Sequence, residues 1–317
     1  MSELTNKIRE VARDLLQQKM VDLVIGFARG TTPMCSTPCF VRQDGEVNGL
    51  IWDSFCENNL AKYLAKRSDK IAIIAKGCDA RAVVELIKEN QISRDQVVII
   101  GVPCQGMVDR GMVRSALEGN EIQEVEEKDG RLTIKGKGVE KVLNPDKFLH
   151  PSCKVCTHRN PVIYDILVGD PVKELDTDPY RDVAEFEALT PEEREEHFSK
   201  EFAKCIRCYA CRNACPLCYC QECFVDCSKP QWIGKTTEAS DTAIFHIMRA
   251  FHLAGRCVEC GACERACPME VDIRKLNRKL AKDVKERFDY EAGLNLDEVA
   301  PLSTFKPDDA EEFISHP

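Results

Sequence analysis

The chain has 317 residues, with 44 lysines and arginines against 53 aspartates and glutamates and a net charge of −9. It offers no basic face for nucleic acid, and no apolar run reaches the roughly 18 residues that would insert directly into a membrane. Nineteen cysteines, an odd number, behind a start that opens straight into a charged helix, argue against a secreted disulfide framework. They point instead to metal or redox chemistry in a reducing, anaerobic cytoplasm.

Glu3 to Met20 carries Leu4, Ile8, Val11, Leu15 and Leu16 at helical spacing. Ile71-Ala72-Ile73-Ile74-Ala75 is a short apolar run of buried-strand type. Ala80 to Asn90 follows as a helix with Ala82, Val83, Leu86 and Ile87 on one face, and Val97-Val98-Ile99-Ile100 is a second buried strand. Strand, helix, strand makes a βαβ unit whose crossover sets the strands parallel. Functional groups of parallel sheets collect at the carboxyl ends of the strands. Cys78 follows the first strand and Cys104 the second, so both are expected at one edge, and Cys153-Lys154-Val155-Cys156 precedes a further strand and turn at Tyr164 to Asp170. Cys78, Cys104, Cys153 and Cys156 are then expected to form a four-thiolate site for an iron–sulfur cluster, additional to the two read from the later cysteine runs. The alternative is that Cys78 and Cys104 are small buried apolar residues. Lys76, Asp79 and Arg81 suit an anionic ligand or a solvated helix start equally, and His150 and His158 flank the CxxC pair as tuning groups.

Residues 171 to 200 hold ten acidic and four basic side chains, punctuated by Pro171, Pro179 and Pro191. They read as an acidic linker with a short helix from Pro191, where proline suits the first turn.

Beyond it stands Cys205-x-x-Cys208-x-x-Cys211-x-x-x-Cys215-Pro216, repeated as Cys257-x-x-Cys260-x-x-Cys263-x-x-x-Cys267-Pro268. In such runs three thiolates of one turn grip one cluster and the fourth reaches the other. One 4Fe–4S cluster is therefore expected on Cys205, Cys208, Cys211 and Cys267, and a second on Cys257, Cys260, Cys263 and Cys215. Zinc sites need neither the third CxxC step nor the trailing proline. Asp241 to Ala254 and Asp272 to Phe288 have helical spacing, so the ferredoxin is of the α-helical kind. His246 and His252, six residues apart, share no helix face and read as packing residues.

Four further thiols, Cys218, Cys220, Cys223 and Cys227, crowd the stretch after Cys215. They make either a fourth metal site, with Cys35 or Cys39 in reach, or a thiol-rich rim around the cluster of Cys215. Cys56 reads as an ordinary core cysteine. After Gly293 the chain is acidic and proline-containing, a tail for lying across a partner.

Two resemblances attach to these motifs. The run from Ala254-Gly255-Arg256-Cys257 to Cys267-Pro268-Met269, within residues 200 to 290, resembles the two-cluster ferredoxin modules of heterodisulfide reductase small subunits and succinate dehydrogenase iron–sulfur subunits. Gly101-x-Pro103-Cys104-Gln105, Ser152-Cys153-x-x-Cys156 and Asp165-Ile166-x-Val168-Gly169-Asp170 resemble the beta-subunit family of coenzyme-deazaflavin hydrogenases and formate dehydrogenases. That second resemblance implies a 4Fe–4S cluster and FAD, where two-electron and one-electron chemistry meet.

The expected architecture is an α/β N-terminal domain with parallel strands (1–170), an acidic linker (171–199), an α-helical dicluster ferredoxin domain (200–290) and an extended acidic tail (291–317). The expected function is electron relay in a soluble, multi-subunit anaerobic oxidoreductase, between a partner flavoprotein or catalytic subunit and another carrier. The alternative is an FAD-containing enzyme that itself reduces a deazaflavin-like or other soluble carrier. The sequence holds no nucleophile triad, Walker loop or dinucleotide fingerprint.

Overall fold

The computed structural model describes residues 3–117, 121–128 and 130–301. Helix α1 (Glu3–Gln17) turns Ile8, Ala12 and Leu15 inward. It packs on a mixed sheet begun by β1 (Leu23–Arg29), β2 (Ser36–Val41) and β3 (Leu50–Ile51), the latter two running antiparallel to β1. The βαβ unit follows as β4 (Ile71–Ala75), α2 (Gly77–Lys88) and β5 (Val97–Gly101), with Ile71 opposite Val97 and Ala75 opposite Gly101 in parallel register. Every residue of β4 is buried, which explains why it is apolar throughout instead of alternating.

After α3 (Arg110–Ala116) the chain leaves the sheet for an antiparallel meander of β6 (Ile122–Lys128), β7 (Arg131–Gly136) and β8 (Val139–Leu143). Leu132 and Ile134 of β7 are buried beside Val108, Val113 and Leu149 in a small core of their own. Helix α4 (Pro151–Lys154) and β9 (Ile166–Leu167) bring the chain back, and β9 adds to β5 in parallel. The large sheet runs β2-β1-β4-β5-β9.

The C-terminal half is helical: α5 (Arg181–Glu187), α6 (Pro191–Ala203), α7 (Ala210–Ala214), α8 (Ala239–His252), α9 (Ala262–Arg265) and α10 (Arg274–Phe288). Helix α6 starts at Pro191, where the Thr190 side chain accepts from the Glu193 amide and the Glu193 carboxylate reaches back. Segment 171–199 is anchored on α10, since Asp182 pairs with Arg278 at 2.7 Å and Glu187 with Lys279 at 2.6 Å.

The halves share one core. Leu217, Leu253, Val258, Tyr290 and Ala292 belong to the same buried cluster as the strands of the sheet. Helix α2 is the seam. Glu85 accepts from the Tyr290 hydroxyl at 3.0 Å and the Gly293 amide at 2.7 Å, and Arg81 donates to the Ala292 carbonyl. Of the expected tail, residues 291–293 thus lie against α2, while residues 302–317 fall outside the described residues. No helix among the described residues is long and apolar enough to cross a membrane.

Candidate iron–sulfur centres

All 19 cysteines are free thiols. The two ferredoxin runs adopt one backbone turn twice. Arg207 (φ 54°) and Tyr209 (φ 59°) in the first occupy the same places as Glu259 (φ 55°) and Gly261 (φ 71°) in the second. Left-handed conformations are costly for arginine, tyrosine and glutamate, and they persist where the surroundings overdetermine them. Alternating right- and left-handed residues turn successive amides to one side, a concavity that recurs at anion and iron–sulfur sites.

The turns group the thiols. Cys205 lies within electrostatic range of Cys267 and Cys208, and Cys211 within range of Cys263, Cys205 and Cys267. Cys205, Cys208, Cys211 and Cys267 line a single cavity against Phe245 and Ile273. In the second group, Cys257 and Cys260 both face Cys263 and Cys215, so Cys215 sits with the other run's sulfurs. Amide groups point at sulfur, with Arg207 N–H 3.4 Å from Cys205 Sγ and Val271 N–H 3.4 Å from Cys267 Sγ.

The third group forms at the sheet edge. Cys78 opens α2 and Cys104 follows β5, and each is within range of the other. Cys104 also faces Cys153 and Cys156 across the loop. The Gly106 amide donates to Cys104 Sγ at 3.3 Å and the Met107 amide to Cys153 Sγ at 3.4 Å. Lys76 is fully buried beside them, paired with Asp79 at 2.9 Å and held over the Phe27 ring at 4.7 Å. His150 and His158 are each engaged by a carboxylate, Glu57 at 2.8 Å and Glu291 at 2.5 Å.

Burial raises these thiols. Cys104 is pushed up to about 12, and Cys211 and Cys260 each to about 11. Buried thiols stay protonated until a metal takes the proton's place. Buried cations lie among these thiols. Arg249 is 4% exposed, and the groups that favour its charge are Cys263, Cys215, Cys218 and Cys211. It donates to the Cys211 carbonyl at 3.1 Å, while its Nε has no partner among the described residues. A guanidinium buried without a carboxylate is expensive, and thiolate-ligated clusters supply the missing negative charge. On this observation the residues fit iron–sulfur clusters. Among the described residues, no three His, Cys, Asp or Glu side chains converge as ligands of one metal ion.

Two features link the second and third groups, and neither is visible in cysteine spacing. Arg265 faces Cys153, Cys260 and Cys78, and it donates to the Cys260 carbonyl at 2.8 Å and the Glu57 carbonyl at 2.7 Å. A Cβ on Gly261 would stand 2.3 Å from Ser152 Oγ, the neighbour of Cys153. The glycine of the second run, where the first has tyrosine, is the one sign in the sequence that this turn lies against another element.

Of the remaining thiols, Cys218, Cys220 and Cys223 line a cavity of about 360 Å³ between the halves. Cys227 lies off that wall, 3.5 Å from the Cys223 carbonyl. Cys35 and Cys39 lie beside and within β2, away from it, and Cys56 is wholly buried in the main core. His246 is also buried, stacked on Phe202 at 4.9 Å.

Comparison with known proteins bears on the α/β half. Residues 68–183 match the family model for the carboxyl-terminal part of the coenzyme F420 hydrogenase/dehydrogenase beta subunit, a span that includes Cys78, Cys104, Cys153 and Cys156. The "F420-dependent formate dehydrogenase subunit beta" of Methanocaldococcus jannaschii is 26% identical over 93% of both chains. The "F420-dependent formate dehydrogenase 1 subunit beta" of Methanococcus maripaludis is 26% identical over 90% of both. A solved structure, "Xenon derivatization of the F420-reducing [NiFe] hydrogenase complex from Methanosarcina barkeri", aligns at 15% identity and TM-score 0.41, covering 64% of this chain and 90% of that one. In its α/β half, the chain resembles the beta subunits of coenzyme F420 hydrogenases and formate dehydrogenases.

Proposed function

We propose that the chain is an iron–sulfur electron-transfer subunit of a multi-subunit oxidoreductase, of the kind named by its formate dehydrogenase relatives. In this reading residues 1–170 carry one cluster on Cys78, Cys104, Cys153 and Cys156. Residues 200–290 form a dicluster ferredoxin in which Cys215 and Cys267 are exchanged between the runs. Segment 171–199 and the stretch after residue 290 clamp the halves together. The clusters, when bound, take up and release single electrons.

The observation that supports this reading best is the closeness of Cys78 to Cys260, with Arg265 between them. One-electron transfer through protein weakens steeply with distance, and here the third site abuts the second. Buried cations at each junction favour the more negative, reduced state of the centres. Electrons would enter from a flavoprotein or catalytic subunit and leave to another carrier. The relatives' names make an F420-dependent formate dehydrogenase the first complex to test.

The test is anaerobic purification with iron and sulfide assays. Cys153→Ser should lower iron by about four atoms per chain, one cluster's worth, with the ferredoxin spectra retained. Unchanged iron would remove the sheet-edge cluster. A lone chain carrying stoichiometric flavin and reducing a dissolved carrier would replace the relay with an enzyme in its own right.

A further inference from the structure

The cavity between the halves carries three thiols and two lysines that the three proposed clusters leave unused. It brings together Cys218, Cys220 and Cys223 with Lys62, Lys66, Arg212, Arg249 and Arg256. The lysines come from the α/β half and the rest from the helical half. Arg212 is answered by Asp226 at 2.7 Å and Arg256 by Glu89. Among the described residues no carboxylate answers Lys62 or Arg249: Lys62 donates to the Cys218 carbonyl at 2.9 Å, and Arg249 reaches the Cys218 sulfur and the Cys211 carbonyl. Phe224, Phe245, Leu217 and Leu253 close the apolar side.

We propose that this cavity seats a further iron–sulfur cluster, held by the thiolates of Cys218, Cys220 and Cys223. Cysteine thiolates are soft ligands for iron. Binding releases their three protons, and the surplus cations then face an anionic cluster. A simple anion would satisfy the cations and leave three cysteines on the wall without a purpose. Three soft thiolate donors beside a surplus of cations suit an anionic iron–sulfur cluster better than a single zinc ion.

Position gives the centre a role beyond the relay argued above. Cys218 is hydrogen-bonded to Cys215, a ligand of the second proposed cluster, whereas Cys220 is exposed. The cavity cluster is therefore a port, one residue contact from the wire and open to solvent or to a docked partner. It rests on thiols separate from those of the sheet-edge site, so either assignment can fail alone.

The experiment compares full chains purified anaerobically. Cys220→Ser/Cys223→Ser should lose about four irons and four sulfides per chain, with the ferredoxin electron paramagnetic resonance signals intact. Cys227→Ser should lose none. Wild-type iron in the double variant, zinc in place of iron, or equal loss in Cys227→Ser overturns the assignment. Should the double variant fail to fold, Lys62→Gln/Lys66→Gln keeps every thiol. Redox titration should then resolve a fourth centre, beyond the three proposed above, whose midpoint potential moves to more negative values, and finding only three centres, or a fourth whose potential is unchanged, overturns the proposal.

Discussion

Replacing Gly261 with alanine asks whether the two halves really meet at their metal sites. Gly261 has φ 71°, and a residue with a Cβ loses about 1–2 kcal/mol in that region. The added methyl would also stand 2.3 Å from Ser152 Oγ and 2.6 Å from Ser152 Cβ. Relief requires moving either the Cys257 turn or α4, and forced overpacking costs about 1–3 kcal/mol. The sum is about 2–5 kcal/mol. Ser152→Gly removes the obstructing atoms, at the cost of the 3.3 Å bond from Arg265 to Ser152. The double variant should recover the overpacking part and keep the backbone part, a coupling of about 1–3 kcal/mol in the cycle. Anaerobic urea titration followed by cluster absorbance gives the four stabilities. Trp52 in the sheet half and Trp232 in the helical half report whether both unfold together. Additive effects of the two substitutions would refute the contact between these turns.

Three further outcomes follow from the same geometry. Arg249→Gln removes a buried positive charge facing Cys211, Cys215 and Cys263, so the reduced clusters lose stabilisation and their potentials should fall by tens of millivolts. About 59 mV corresponds to a tenfold change for one electron, and a redox titration with no shift would clear Arg249 of this role. Cys215→Ser should bleach the cluster of Cys257, Cys260 and Cys263, because those thiols are its neighbours; loss confined to the Cys205 run would contradict the crossed ligation. Burial, then Arg249 and Arg207, lowers His246 to about 4 from an ordinary 6.5. Between those values the unfolded chain binds the extra proton, so stability from neutral His246 is complete above about pH 6.5 and is lost as pH falls through about 4. His246→Phe, which keeps the stack on Phe202, should flatten the stability profile between about pH 7 and 5. An identical slope in the variant would show that another group titrates there.

Short repeats of residue type are the part of this protein that the sequence makes legible. Buried parallel strands announce themselves as Ile71–Ala75 and Val97–Ile100 because both faces are covered, and the crossover then brings Cys78 and Cys104 to one edge. The ferredoxin spacing is legible for a similar reason, since three thiols on one turn tolerate little variation. The β1–β2 hairpin and the β6–β8 meander are much harder to read. Turn signals are present at Gly130 (φ 69°) and Gly138 (φ 77°), but β6 carries glutamates on its exposed side and little apolar alternation, so it reads as a polar loop. Segment 171–199 reads as a linker for the same reason. Its few apolar residues and its acids are matched to basic residues on α10, a complementarity between stretches about a hundred residues apart that no local window contains. Arg249 and Arg265 are likewise invisible as functional groups in the sequence, because their worth comes from the sulfurs that surround them in space.

The repeated turn carries a direction. Its two copies share left-handed residues at matching places, so the backbone alone makes the two sites equivalent. They differ in what leans on the second left-handed position. Tyr209 keeps its ring against Phe245 at 5.3 Å and under the Arg212 guanidinium at 4.8 Å, inside the helical half. Gly261 yields its space to Ser152 and so presents the Cys257 turn to the α/β half. A side chain of any size at Gly261 would hold the two sites apart, and a glycine at Tyr209 would lose the packing that closes the first site. On the proposed cluster assignment, this one difference between two otherwise parallel motifs orders the centres as sheet edge, second run, first run. On the same assignment Cys215, grouped with the middle centre and touching Cys218, makes that middle position the branch from which the proposed cavity port opens.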